Sequence, residues 1–195
     1  MLGKRKKKYS SIGVVRARDI VRLVFERRGA ITREQVIKEM RASDFSVYRI
    51  IGRLVERGIL HELPEGISRG GRRSRFLSVN PAIGCVVGSC IDEEFIKIGL
   101  YDAVGNTLKA QTVTMKATTG PEILEEYVHI VRSFCAGALP RRRIFAVGLG
   151  VPGILDRTRT TGVFTSLYAE WRNLPIRRTL QEELRMPVYL EHNAT

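Results

Sequence analysis

A chain of 195 residues, 44% of them hydrophobic, has room for one medium domain or two small ones and enough apolar content to bury a core. Its formal charge of +13 is uneven, because residues 1–80 carry 20 Lys and Arg against 8 Asp and Glu while residues 81–195 carry 13 against 12. The asymmetry points the N-terminal part at a polyanion, either nucleic acid or an anionic membrane surface, and the lack of any apolar run near the roughly 20 residues of a bilayer span, or of a signal-peptide core, points to a cytoplasmic protein; no membrane partner is expected.

Cys85, Cys90 and Cys135 are odd in number and lack C-x-x-C spacing, which argues against a disulfide framework and a zinc site. His61, His129 and His192 are scattered without metal-ligand spacing. No metal and no cofactor is expected.

Residues 1–10 form a basic arm, "MLGKRKKKYS", suited to counterion-release affinity for a nucleic acid and equally to a solvated tail. Residues 11–80 read as one small domain. In "RARDIVRLVFERR" (16–28), Ala17, Ile20, Leu23 and Val24 recur at helical spacing and Gly29 follows as a stop. In "AITREQVIKEM", Thr32 and Gln35 have capping-box spacing, and Ile31 and Val36 occupy the two positions of a hydrophobic staple. A third helix over 44–57 carries Val47, Ile50, Ile51, Leu54 and Val55 on one face and Ser46, Tyr48, Arg49 and Arg53 on the other.

Two short helices joined by a tight turn, the second displaying hydroxyls, an aromatic ring and guanidinium groups, suit a helix-turn-helix entering the major groove of double-stranded DNA. A plain three-helix bundle with a solvated basic face has the same helices. The segment after the third helix favours DNA binding. "ILHEL" and "RFLSV" are short strand-like runs, and "PEGISRGGRRS" between them has the turn residues of an extended hairpin, the wing of a winged helix-turn-helix. Arg69, Arg72 and Arg73 beside Gly70-Gly71 suit phosphates or a narrow minor groove, although a basic loop without fixed structure would read alike.

Residues 81–195 change pattern. Apolar runs at 83–91 and 95–102, a turn at Gly105-Asn106 and an alternating run at 107–115 predict a meander. "PEILEEYVHIVRSFCAGAL" predicts a helix with Pro121 in its first turn, "RIFAVGLGVPG" a buried strand ending in a glycine loop, "RRTLQEELRM" a short helix and "PVYLEHN" a last strand. The order β-β-β-α-β-α-β establishes a mixed α/β domain.

The segments "GISRGGRRSRFLSVNP", "GLYDAVGNTL", "AVGLGVPGILD", "EWRNLPIRRTLQEEL" and "PVYLEHNAT", in this order over about residues 11–195, resemble the ROK family, named for repressor, open reading frame and kinase. The resemblance implies an α/β fold in which residues 81–195 are the first lobe of an actin-like, ribonuclease-H-like ATPase domain that senses a sugar. Family members are sugar kinases or, with an N-terminal winged helix, sugar-responsive repressors. The kinases carry Asp-x-Gly-Gly-Thr in the first hairpin, where the aspartate supports a metal and the glycine amides approach ATP. The matching positions here are Cys90 for the aspartate and Asp92, Glu93 and Glu94 for Gly-Gly-Thr. Three carboxylates beside a polyphosphate repel it. Where the kinases end a strand in Asn-Asp, with the aspartate as base, this chain has His192-Asn193, and a neutral amide is no base.

The resemblance therefore implies a DNA-binding regulator, a repressor of carbohydrate-metabolism genes acting as a homo-oligomer on an operator, with no catalytic residues and a sugar or sugar-phosphate effector. Gly150, Gly153, His192 and Asn193 stand where the family lines its sugar cleft, and ordinary loop and strand-end structure accounts for them equally well. The family's second lobe, its Glu-x-Gly-His sugar contact and its His/Cys zinc site are not in this sequence. The expectation is a truncated first lobe with apolar surface or a strand edge exposed. A kinase with an appended basic domain and a ligand-blind regulator are the rival readings.

Overall fold

The computed structural model describes residues 16–40, 42–64, 75–136 and 143–193, and the chain divides into two compact units, Met1–Asn80 and Pro81–Thr195. In the first, α1 (Ala17–Glu26) buries Ile20, Leu23 and Val24. The Asp19 carboxylate accepts the Arg16 N–H at 3.1 Å, satisfying one of the donors that a helix start leaves open. The helix ends sooner than the periodicity suggests, because Arg28 (φ +50°) and Gly29 (φ +75°) turn into the left-handed region.

Strand β1 (Ile31–Thr32), too short to announce itself by alternation, leads into α2 (Arg33–Met40). The predicted capping box is present: Thr32 N–H donates to Gln35 Oε1 at 2.8 Å and Gln35 N–H to Thr32 Oγ1 at 3.3 Å. The staple positions Ile31 and Val36 are both buried. Helix α3 (Asp44–Glu56) buries Val47, Ile51 and Leu54, with Ile50 and Val55 half-buried at the margins. Strands β2 (Leu60–Pro64) and β3 (Arg75–Val79) pair antiparallel from Leu60↔Val79 to Pro64↔Arg75, and β1 adds to β3 to give the order β1-β3-β2. Residues 65–74, which carry Arg69, Arg72 and Arg73, and the arm at 1–10 lie outside the described residues.

The second unit opens with a 3₁₀ turn, Pro81–Ile83, so the strand predicted from residue 83 begins two residues later, at Cys85. The meander is β4 (Cys85–Ile91), β5 (Phe95–Asp102) and β6 (Thr107–Thr114), followed by α4 (Gly120–Ala136) and β7 (Ile144–Val151). Then come three short strands, β8 (Ile154–Leu155), β9 (Gly162–Phe164) and β10 (Arg172–Leu174), which form a separate sheet that the sequence does not signal. Helix α5 (Ile176–Leu184) and β11 (Val188–His192) complete the unit. The main sheet has the order β11-β7-β4-β5-β6, parallel between β4, β7 and β11 and antiparallel through the meander.

One face of that sheet packs on α4 and α5. Ile123, Tyr127, Val131 and Phe134 of α4, and Ile176, Leu180 and Leu184 of α5, join Val87, Ile98, Val147, Leu149 and Val188 in one core. Tyr127, fully buried, keeps its hydroxyl satisfied by Ser89 Oγ at 2.7 Å, and burial pushes its pKa up. Tyr189, Phe145 and Val86 are exposed large apolar residues, and β11 and β6 are the sheet's edges. No helix of the described residues is long and apolar enough to cross a membrane.

Candidate functional site

Two places collect chemistry-bearing side chains, one in each unit. In the first, α3 buries one stripe and turns the other to solvent. Tyr48 is 56% exposed, Arg49 and Arg53 are exposed, and Ser46 is half-buried at the flank. Phe45, absent from the residues that the sequence pattern singles out, is 73% exposed on the same side. The signal was there, since Phe45 falls out of phase with Val47, Ile51 and Leu54 and one turn before Arg49.

Tyr48 is held in place. The Arg33 guanidinium lies 5.1 Å from its ring centroid, and Arg33 is itself ion-paired with Glu62, both being mostly covered. Arg49 lies 6.0 Å from the Phe45 ring. Neither Arg49 nor Arg53 has an ion-pair partner among the described residues. Their donors face water.

In the second unit the parallel pairing gathers residues at the carboxyl ends of β4, β7 and β11, where open α/β sheets form ligand crevices. Cys90 pairs with Gly150, Glu191 with Gly150 and His192 with Val151. Asn193 closes the set: its N–H donates to the Val151 carbonyl at 2.9 Å and its side-chain amide to the Ile91 carbonyl at 3.0 Å. His192 is exposed, and Glu191 beside it is ion-paired with Arg159. Gly153 has φ +82°, and a Cβ there would lie 2.2 Å from the Phe164 carbonyl oxygen, so only glycine fits. Gly150 has no such demand, its nearest neighbour being Cys90 Sγ at 3.5 Å.

The turn between β4 and β5 uses its backbone on the protein itself. Asp92 N–H donates to the Phe95 carbonyl and Glu93 N–H to Asp92 Oδ1, each at 2.9 Å. The Asp92 and Glu93 carbonyls accept from the Tyr168 hydroxyl at 2.5 and 3.2 Å, and the Glu94 carbonyl accepts from Met115 N–H at 2.8 Å. Phosphate binding by such a turn needs free amides and no adjacent anion. Cys90 has no carboxylate with which to support a metal, and burial, and after it the Asp92 charge, push its thiol pKa up. Among the described residues no group of three or more His, Cys, Asp or Glu could hold a metal.

The ROK family's sequence profile matches residues 90–195. The chain belongs to the ROK family. The xylose repressor of Caldicellulosiruptor bescii is 28% identical over 166 residues, 84% of this chain and 41% of that protein. A glucokinase from Streptomyces coelicolor is 30% identical over 112 residues, 57% of this chain and 33% of the enzyme. The crystal structure of a ROK family transcriptional regulator described as a homolog of the Escherichia coli MLC protein superposes with a TM-score of 0.73 at 19% identity, over 91% of this chain and 45% of that one. That likeness shows the fold. The chain spans less than half the length of each of these proteins.

Proposed function

We propose that this ROK chain is a DNA-binding transcriptional regulator, a repressor of sugar-use genes without kinase activity. The observation that carries the reading is the solvent-facing side of α3, where Tyr48, Arg49 and Arg53 stand clear of the core. Helices α1 to α3 with the β2–β3 hairpin are a winged helix-turn-helix, α3 its recognition helix in the major groove. Ser46, Tyr48 and Arg49 meet base edges. Arg53, with Arg69, Arg72 and Arg73 of the wing, meets the phosphate backbone of a double-stranded operator. The +12 excess of residues 1–80 supplies the non-specific part of the affinity.

The effector is a sugar or sugar phosphate bound at the carboxyl ends of β7 and β11. Gly150 leaves the strand surface open, His192 offers a ring nitrogen, and Asn193 keeps its amide oxygen for a hydroxyl after its amino group is spent on Ile91. Gly153 shapes the loop. The regulator works as a homo-oligomer in the cytoplasm on paired half-sites.

The test is fluorescence anisotropy of the chain on labelled DNA from upstream of its own gene and on a scrambled duplex, across a salt series. Preference for the native duplex that survives rising salt supports the regulator. Equal and steeply salt-dependent binding to both means that only phosphates are felt and sinks the operator claim. ATP-dependent phosphorylation of a hexose by the same preparation would establish the kinase instead.

A further inference from the structure

We infer that Phe45 determines sequence specificity by packing on the 5-methyl group of a thymine in the major groove, next to the base pair whose edge Arg49 reads. The inference rests on the DNA-binding reading of α3. Phe45 is the second residue of that helix, at the end which recognition helices direct toward base edges.

Among the described residues the ring of Phe45 has no part in the core. At 73% exposure it is the most exposed of the large hydrophobic residues described, and it lies off the buried phase of Val47, Ile51 and Leu54. It is not isolated, however. One turn on, the Arg49 guanidinium sits 6.0 Å from the ring centroid, so ring and cation are presented together. A further turn along the same side is Gly52, where an added Cβ would meet nothing within 4 Å. Glycine inside a helix weakens it, and among the described residues no crowding asks for one here. A residue without a side chain at the middle of this face lets the helix backbone come close to the duplex.

An apolar ring beside a planar five-donor cation matches a particular pair of base edges. In the major groove only thymine offers a methyl group, and guanine offers the two acceptors that a guanidinium takes bidentately. Cytosine lacks the methyl, and the adenine and guanine edges are polar where the ring would touch. Phe45 and Arg49 together therefore select a thymine adjoining a guanine-containing pair. Arg53, one turn beyond Arg49, is left for phosphate.

The experiment uses the full chain. Duplexes are selected from a randomised library by wild type, and each thymidine of the selected site is then replaced by deoxyuridine, which removes only the methyl. Anisotropy titrations compare wild type, Phe45→Ala and Phe45→Leu, with melting curves to show that the exposed position leaves the fold intact. The expected result is one deoxyuridine position per half-site that weakens wild type roughly fourfold, the effect of burying one methyl group. Phe45→Ala binds both duplexes equally there, and Phe45→Leu retains part of the difference. The inference is overturned if Phe45→Ala keeps the wild-type penalty or if wild type tolerates deoxyuridine everywhere. If wild type selects no sequence at all, the DNA-binding reading falls and takes this inference with it.

Discussion

The Tyr168 hydroxyl donates a 2.5 Å hydrogen bond to the carbonyl oxygen of Asp92, 76 residues earlier in the chain. It also reaches the Glu93 carbonyl at 3.2 Å, and its ring stacks obliquely on Trp171 with centroids 5.6 Å apart. Burial first, then the charges of Asp92 and Glu93, push the phenol up to about 12, so it remains a donor at any working pH. Tyr168→Phe keeps the ring and removes the donor. It should cost about 1 kcal/mol, the usual net worth of a hydrogen bond to half-buried backbone. Urea unfolding followed by the fluorescence of Trp171, the single tryptophan, measures this directly. An unchanged midpoint would mean that water replaces the hydroxyl without loss.

The same turn carries a functional prediction. Its Asp92 and Glu93 amides are engaged and three carboxylates border it, so magnesium-ATP should give no binding heat and no hexose phosphorylation. Replacing Glu93 by Gly and Glu94 by Thr should not create turnover, because Cys90 remains a neutral thiol and Asn193 cannot accept a proton. Turnover in either protein would contradict the reading of these positions.

Where periodicity is strong, the sequence is enough. The Thr32–Gln35 capping box, the buried stripe of α3 and the meander are all legible because each rests on local spacing. The β8–β9–β10 sheet is not, since strands of two or three residues have no period to read. Parallel pairing is equally hidden: nothing local places Glu191 beside Gly150 or Asn193 against Ile91. The candidate effector residues can thus be named from resemblance, but their convergence at one sheet end is a long-range fact. Tyr168 gives no signal either, because its partner is a distant backbone carbonyl.

Two glycines should respond with opposite signs. At Gly153 an alanine must adopt φ near +82° and push its Cβ against the Phe164 carbonyl and Thr165. Gly153→Ala should destabilise the second unit by roughly 2–4 kcal/mol, seen in Trp171 fluorescence during urea unfolding. At Gly52 the space is open and the backbone helical. Gly52→Ala should stabilise the first unit by about 1 kcal/mol, read by far-ultraviolet circular dichroism. A stabilised Gly52→Ala protein that binds DNA less tightly would locate the face where the duplex approaches.

Asp102 makes the stability depend on acid. Its side chain is 5% exposed and accepts from Val104 N–H at 3.0 Å and from the Asn106 N–H and side-chain amide at 2.9 Å each. Burial alone would raise its pKa, yet the Asn106, Val104 and Gly105 donors outweigh it and hold the carboxyl below the usual range. A depressed folded-state pKa stabilises the fold fully above the unfolded value near 4, and this stabilisation is lost as pH falls through the folded value. Asp102→Asn, which cannot accept on both sides of its amide, should cost about 1–2 kcal/mol at pH 7. The difference between variant and wild type should narrow in urea midpoints taken at pH 4 and then pH 3, as wild type protonates and loses the same acceptor. A gap that stays constant with pH would show that the shape of the side chain, and not its charge, holds the β5–β6 turn.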